Sequence, residues 1–309
     1  MTDRVTLVAA ARDTIAQGSQ SFAAASKLFA PATRERAWLL YAWCRVADDL
    51  TDGQELGHGA VARPDPATTQ ARLEALTAAA LDSDDAVPLQ FAALRQVALE
   101  TAMPRQFITD HLAGFALDAM DWRPDAEDDL LRYCYHVAGS VGCMMAVVMG
   151  VPPQDDDTLD RACDLGMAFQ LANIARDIVP DAMAGRCYLP RQWLAAEGLV
   201  AAELADPRQR AGLARLAARL VELSRPYRRS ARVGAARLPF RSRLAVLAAD
   251  GIYSAIGEQV VTCGERAWDQ RVRVSSAGKL ALLGQAALRS LGTPASASRH
   301  GLWTRQRHA

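Results

Sequence analysis

Three aspartates close a segment that is otherwise built for burial. In "YAWCRVADDLTDG", residues 41–53, Asp48, Asp49 and Asp52 follow a run from Ala37 to Ala47 whose only charge is Arg45. On a helix, Arg45, Asp48, Asp49 and Asp52 stand at i, i+3, i+4 and i+7 and share one face. Carboxylates in the last turns oppose the negative end of the helix dipole, and aspartate is a poor helix former. Crowded carboxylates repel and take up protons unless a cation stands between them. A solvated helix end would also account for this cluster taken alone. The pattern recurs, however, in "MAFQLANIARDIVPDAMAGRCYLP", residues 167–190. There Gln170, Asn173, Asp177 and Asp181 fall at i, i+3, i+7 and i+11, one line down one helix, with Phe169, Leu171, Ala172 and Ile174 filling much of the rest. A buried amide left without a partner costs about 1–3 kcal/mol. Two D-x-x-x-D motifs on helices built for the interior suggest facing walls of one cavity.

The donor types indicate what such a cavity would hold. Carboxylates and amide carbonyls suit Mg²⁺ or Mn²⁺ rather than zinc. Mg²⁺ keeps waters and is often completed by substrate phosphate oxygens, so a diphosphate bridged to aspartate through metal ions is the natural occupant. Other site chemistries lack their residues. His58, His111, His136, His300 and His308 form no Glu-x-x-His pair and no H-E-x-x-H, which a di-iron bundle or a zinc protease would need. There is no G-x-x-x-x-G-K-[ST] loop and no G-x-G-x-x-G after a strand. Lys plus Arg equals Asp plus Glu, 35 each, so bulk charge gives no support to a nucleic-acid partner.

The elements that must carry these residues are helical. Period-3.6 patterns run through the chain, and alanine and leucine dominate it. The patterns predict helices near 4–16, 20–29, 33–52, 68–81, 86–101, 104–120, 126–150, 156–182, 207–228, 240–265 and 276–290. Turn chemistry separates them, as in "LDSDDAVP", "DWRPDAED" and "GVPPQDDD". Asp128, Asp129 and Asp155 to Asp157 fall where N-caps and first turns are expected. With no strand set, linker or tandem repeat, residues 1–291 read as one all-α domain. Residues 292–309, Ser/Pro-rich and basic, read as a flexible tail. The 309 residues are 50% hydrophobic, enough to surround an enclosed cavity. The six cysteines are scattered without a C-x-x-C pair, as expected of free thiols in a reducing cytoplasm. No signal peptide is evident. The longest apolar stretch, Val137 to Val151, is short of the ~20 residues that span a bilayer and reads as a buried helix.

At these residues the sequence resembles the head-to-head prenyl synthases, the squalene and phytoene synthase family, and within it the bacterial phytoene synthases. The likeness covers nearly the whole chain. It runs through "GSQSFAAASKLFAPATRERAWLLYAWCRVADDLTDG", "YCYHVAGSVGCMM", "LGMAFQLANIARDIVPDAMAGRCYLP" and "IYSAIGEQVVTCGERAWDQRVRVS". A lone D-x-x-x-D is a weak signal; four blocks in this order are a strong one. The resemblance implies an isoprenoid synthase fold, a single helical bundle around a central cavity, in which two geranylgeranyl diphosphates condense through a cyclopropyl diphosphate to phytoene, a carotenoid precursor. It implies that Asp48, Asp52, Asp177 and Asp181 hold Mg²⁺ (or Mn²⁺) against the diphosphates, with Asp49 and Asn173 as further ligands. Gln170 would orient substrate or metal. Arg45 and Arg271 match diphosphate-contacting positions, and Arg273 is a neighbour. Tyr135 and Tyr253 match cavity tyrosines near the reacting ends, and Ser21 and Phe22 the "S-F" element beside a diphosphate. NADPH, which squalene synthases use, is not expected.

Plainer roles stay open for several of these. Arg45 could pair with Asp48 or Asp49, Ser21 could cap a helix, and the tyrosines could be core residues. Two positions depart from the family pattern. Gln20 stands where a basic residue is usual. Pro180 lies between Asp177 and Asp181, where the loss of one hydrogen bond and the crowding of the Arg176 carbonyl predict a kink or a helix end. Related functions also stay open: a squalene or dehydrosqualene synthase using farnesyl diphosphate, or a catalytically silent lipid-binding relative. The greasy substrates imply peripheral membrane contact of a cytoplasmic enzyme, for which the tail, with Arg299, Trp303, Arg305 and Arg307, is the candidate. Other enzymes of the carotenoid pathway are further candidate partners.

Overall fold

The computed structural model describes residues 2–52 and 65–307; the side chains of Gln20, Ser21 and Asp52 lie outside that description. Among the described residues the chain is all-α, with no strand. Its helices are α1 (Arg4–Gly18), α2 (Gln20–Ser26), α3 (Pro31–Asp52), α4 (Pro66–Asp82), α5 (Leu89–Thr101), α6 (Arg105–Ala119) and α7 (Glu127–Cys134). They continue through α8 (Ser140–Val148), α9 (Asp156–Met183), α10 (Arg191–Ala196), α11 (Arg210–Ala235), α12 (Phe240–Cys263) and α13 (Ser276–Leu291).

Helix starts follow local chemistry. Asp3 accepts from the Thr6 amide at 3.0 Å and caps α1. Asp65 accepts from the Thr68 amide at 2.9 Å, with Pro66 in the first turn of α4. The expected acidic first turns are present: α7 opens on Glu127, Asp128 and Asp129, and α9 on Asp156 and Asp157. Such carboxylates meet the positive end of the helix dipole. Helix α2 is capped by Ser19, which accepts from the Phe22 amide at 3.2 Å; the capping considered for Ser21 falls on a side chain outside the described residues.

The helices gather into two compact units. One comprises Met1–Met120 with Met144–Asp155; the other comprises Asp121–Cys143 with Asp156–Ala309. In the first, α3 packs against α1 and α5. Its core includes Trp43, Leu40, Phe91, Leu94 and Val97, all fully buried. In the second, the 28-residue α9 is the axial element, packed against α11, α12 and a π-turn over Tyr135–Gly139. That π-turn divides the single helix expected over 126–150 into α7 and α8. It lies where backbone meets backbone: a Cβ on Gly166 of α9 would fall 2.1 Å from the Ala138 carbonyl oxygen.

Of the kink or helix end expected at Pro180, the helix end is absent, and among the described residues one helix has the length and apolarity of a membrane span. Helix α9 runs on through Pro180 to Met183 and does not end between Asp177 and Asp181. A proline one turn from a helix terminus removes only one bond from a turn already short of partners. The stretch Phe240–Arg266 is long and apolar enough to cross a membrane, as a core helix also is. Here α12 packs against α9, α11 and α13. It also buries Asp250, held by Arg228 at 2.6 Å and Arg232 at 2.8 Å, which marks a core helix.

The tail also differs from the flexible basic end expected from its composition. Arg299 lies 2.8 Å from Asp164 and 3.1 Å from Asp160, and Arg307 lies 2.8 Å from Asp160. Arg305 is buried against Asp160 at 2.8 Å. The reason is α9 itself: Asp156, Asp160 and Asp164 form a carboxylate stripe that needs cations, and the tail supplies them.

Candidate active site

The first aspartate motif occupies the last turns of α3. Arg45 is its organiser, with Nη2 2.7 Å from Asp49 Oδ1 and Nη1 3.6 Å from Asp48 Oδ2. The plainer role for Arg45, an ion-pair partner, is therefore realised. The two carboxylates differ: Asp49 is 13% exposed and Asp48 45%. Asp49 and Arg45 line a groove of about 430 Å³ with Asp13, Thr14 and Gln17 of α1 and Gln90 of α5. One turn before Arg45, Tyr41 carries the stacked ring of Phe22, with centroids 5.4 Å apart. Burial pushes the Tyr41 phenol up. The side chains of Asp52 and Ser21, both sequence candidates, lie outside the described residues.

The second motif lies on α9, where Gln170, Asn173, Asp177 and Asp181 keep to one line. Asp177 accepts from Arg176 Nε at 2.9 Å, with a second contact from Arg176 Nη2, and from Arg271 Nη2 at 3.1 Å. Burial alone would lower the Arg176 pKa, but its hydrogen bonds to Asp177 and the Asp177 charge outweigh that and raise it. Arg271 arrives from the segment after α12. The Trp268 indole donates to the Ala175 carbonyl at 3.3 Å, which ties that segment to α9 and lays Arg271 beside Asp177. Asp181 borders a small pocket with Arg186, Cys187 and Tyr188. Its carbonyl accepts from the Arg186 amide at 2.8 Å, so "GRCYLP" folds back onto the motif.

Tyr253 joins the second motif from α12. Its ring stacks on Phe169 with centroids 4.0 Å apart and planes 13° apart. Burial raises its pKa, against the pull of Arg176 and of a hydrogen bond with Asn173. Asn173 also donates to Gln170 Oε1 at a long 3.5 Å. Tyr135 belongs to a different stretch of the same unit. It is buried on the π-turn, its ring 5.1 Å from that of Trp303.

Among the described residues no three His, Cys, Asp or Glu side chains cluster closely enough to hold a metal. Asn173, Asp177 and Asp181 nevertheless offer only oxygen donors on one helix line, the kind Mg²⁺ takes. Asp177 is meanwhile countered by guanidinium groups, which a metal ion would have to replace. Arg176 is the residue that sequence reasoning passed over. It lies off the line of Gln170, Asn173, Asp177 and Asp181, and its only sequence signal is a charge inside an apolar run.

Comparison with known proteins places this geometry. The family model described as squalene/phytoene synthase matches residues 15–277. The chain is 51% identical over 271 residues to a 15-cis-phytoene synthase of Enterobacter agglomerans, covering 86% of this chain and 90% of that one. It is 49% identical over 311 residues to a 15-cis-phytoene synthase of a Paracoccus species, covering 98% and 99%. Among solved structures, a dehydrosqualene synthase in complex with ligand matches with a TM-score of 0.80 at 26% identity, covering 92% of this chain and 96% of that one. A squalene synthase from Alicyclobacillus acidocaldarius matches with a TM-score of 0.74 at 22% identity, covering 84% and 94%. With its model matched over most of the length and relatives at about half identity, the chain belongs to the squalene/phytoene synthase family.

Proposed function

We propose that this protein is a 15-cis-phytoene synthase, a prenyltransferase that joins two geranylgeranyl diphosphates through a cyclopropyl diphosphate intermediate. The observation that carries this is 49% identity to a 15-cis-phytoene synthase over 98% of the chain. The second motif supports it locally, since Asn173, Asp177 and Asp181 line one side of α9 with two arginines at hand. Mg²⁺ or Mn²⁺, for which Asn173, Asp177 and Asp181 on α9 offer oxygen donors, would neutralise the diphosphate and make it a better leaving group.

The chain's own groups do the rest. Arg271 and Arg176, released from Asp177, give their guanidinium charge to the departing diphosphate, the stabilisation a preorganised cation supplies. Tyr253 of α12, hydrogen-bonded to Asn173, orients that amide. The last step loses a proton, for which the released diphosphate and the phenol oxygen of Tyr253 are the two acceptors at hand. Phe169, packed on the Tyr253 ring, covers that phenol with an apolar surface, which helps to keep water from a carbocation.

Product identification tests this reading. Geranylgeranyl diphosphate with Mg²⁺ should yield phytoene without NADPH. A C30 product from farnesyl diphosphate alone would assign a squalene or dehydrosqualene synthase instead. No turnover of either substrate would point to a silent relative.

We further propose a cytoplasmic enzyme that touches the membrane through α13 rather than through the tail. Leu280, Leu288 and Leu291 are 71%, 73% and 78% exposed. The helix carries Lys279 and Arg289 and no acidic residue. An apolar ridge with basic flanks suits an anionic bilayer surface. Co-sedimentation with phosphatidylglycerol vesicles should fall at least severalfold in Leu280→Ser/Leu288→Ser, and unchanged binding would remove the idea.

A further inference from the structure

A π-turn is a one-residue insertion with poorer hydrogen bonding than the α-helix around it, so surrounding contacts must hold it in place. The turn Tyr135–Gly139 is braced by α9 on one side. A Cβ on Gly139 would meet Cys163 Sγ at 2.9 Å, and one on Gly166 would meet Gly139 Cα at 2.9 Å. On the other side the brace comes from the end of the chain. The Trp303 and Tyr135 rings lie 5.1 Å apart at 36°.

Trp303 is itself fixed at both of its backbone groups. Its N–H donates to the Tyr227 hydroxyl at 3.2 Å, and its carbonyl accepts from Arg299 Nη2 at 3.2 Å. Arg299 in turn donates to both oxygens of Asp164, at 2.8 and 2.9 Å. Arg161 of α9 donates to the Ala297 carbonyl at 3.1 Å. Asp164, Asp160 and Arg305 are all buried. Buried charges separated from their partners are strongly unfavourable, so these anchors leave the segment one place to lie.

We propose that residues 297–307 form a clasp, and that Trp303 within it is a positioning residue that fixes the ring of Tyr135 and the π-turn carrying it. The consequence for turnover rests on the synthase reading above and on the family resemblance, which matches Tyr135 to a cavity tyrosine near the reacting ends. Removing the indole leaves a void beside Tyr135 at a turn with weak internal bonding. The ring then relaxes, while the diphosphate-binding motifs keep their own supports on α3 and α9. Misplacement of a reacting-centre group lowers the rate of the chemical step far more than it weakens binding.

The test uses full-length wild type, Trp303→Ala and Trp303→Phe, each measured by amide hydrogen exchange and by steady-state phytoene formation. In Trp303→Ala, exchange over residues 135–139 should rise at least about tenfold, with α12 and α13 unchanged. Its kcat should fall about tenfold, with KM within about threefold of wild type. Trp303→Phe, which keeps a ring in contact, should restore both readouts. Should Trp303→Ala not fold, Trp303→Leu, which keeps bulk without a ring, replaces it with the same expectations. Unchanged exchange at 135–139, a rise in KM in place of the loss in kcat, or a Phe variant as impaired as the Ala variant would overturn the proposal. If the wild type fails to turn over geranylgeranyl diphosphate, the synthase reading falls, while the exchange comparison still decides whether Trp303 holds the turn.

Discussion

Helix α9 carries two polar stripes of identical spacing. Asp156, Asp160 and Asp164 stand at i, i+4 and i+8 in its N-terminal half, and Asn173, Asp177 and Asp181 repeat that interval in its C-terminal half. In the first stripe the cations come from the chain's own end, and Asp164 is wholly buried. Burial pushes the Asp164 carboxyl up against the pull of Arg299, so this charge is tolerable only while Arg299 stays. In the second stripe Asp177 meets a largely buried Arg176 and a half-exposed Arg271. Spacing does not distinguish a structural stripe from a reactive one. What differs between them is the depth of the carboxylates: Asp160 and Asp164 are 4% and 0% exposed, Asp177 16%.

The sharpest test of that distinction is Asp177→Ala. Turnover should fall about 10³-fold, the upper range for loss of one charge-stabilising group, with helicity retained by circular dichroism. Mg²⁺ with inorganic diphosphate should raise the melting temperature of the wild type, as a ligand bound to the folded state must, and should leave this variant unmoved. Near-normal turnover would show that the C-terminal stripe is as structural as the other.

The converse experiment is Asp164→Asn. It leaves the Arg299 guanidinium in the interior with its main partner gone, and breaking a buried pair costs about 3–5 kcal/mol. Urea unfolding should show that loss, with KM for geranylgeranyl diphosphate little changed in whatever fraction remains folded. A shift under about 1 kcal/mol would mean that burial does not set the worth of this stripe.

The two halves also differed in how legible they were from the sequence. The long helices and the line Gln170–Asn173–Asp177–Asp181 follow from 3.6-residue periodicity, which needs no tertiary information. Asp156 and Asp157 were readable as first-turn residues because helix starts have local chemistry. Their continuation into a stripe with Asp160 and Asp164 was not read as a docking surface. The partners Arg299 and Arg305 lie some 140 residues downstream in a stretch whose composition alone suggests disorder. The π-turn was equally out of reach, since one inserted residue leaves the hydrophobic pattern of 126–150 almost intact. Arg176 was missed because its role depends on a contact with its own neighbour, which periodicity does not register.

A smaller effect belongs to Arg271. It is 54% exposed, and its link to Asp177 is 3.1 Å long. Arg271→Gln should therefore leave the melting temperature within about a degree or two, since exposed pairs contribute about 0–1 kcal/mol. If the guanidinium leaves Asp177 for the diphosphate, kcat/KM should still fall about tenfold, and Arg271→Lys should recover only part of it, because lysine lacks the planar fork. Stability and activity falling together would make Arg271 a structural partner, like those of the N-terminal stripe.

The smallest expected effect lies inside the N-terminal stripe itself. Arg307 is 53% exposed, with Nη2 2.8 Å from Asp160 Oδ2 and Nη1 3.4 Å from Asp156 Oδ2. Asp160 also has Arg299 at 3.1 Å and Arg305 at 2.8 Å, so losing Arg307 leaves it still countered twice. The outer guanidinium works in solvent, where a pair is worth about 0.2–1 kcal/mol, and about 1 M salt shortens the screening length to ~3 Å. Arg307→Gln should thus cost under about 1 kcal/mol in urea unfolding at low salt, and the difference from wild type should shrink further in about 1 M NaCl. A loss as large as that of Asp164→Asn, insensitive to salt, would mean that the stripe acts as one indivisible network.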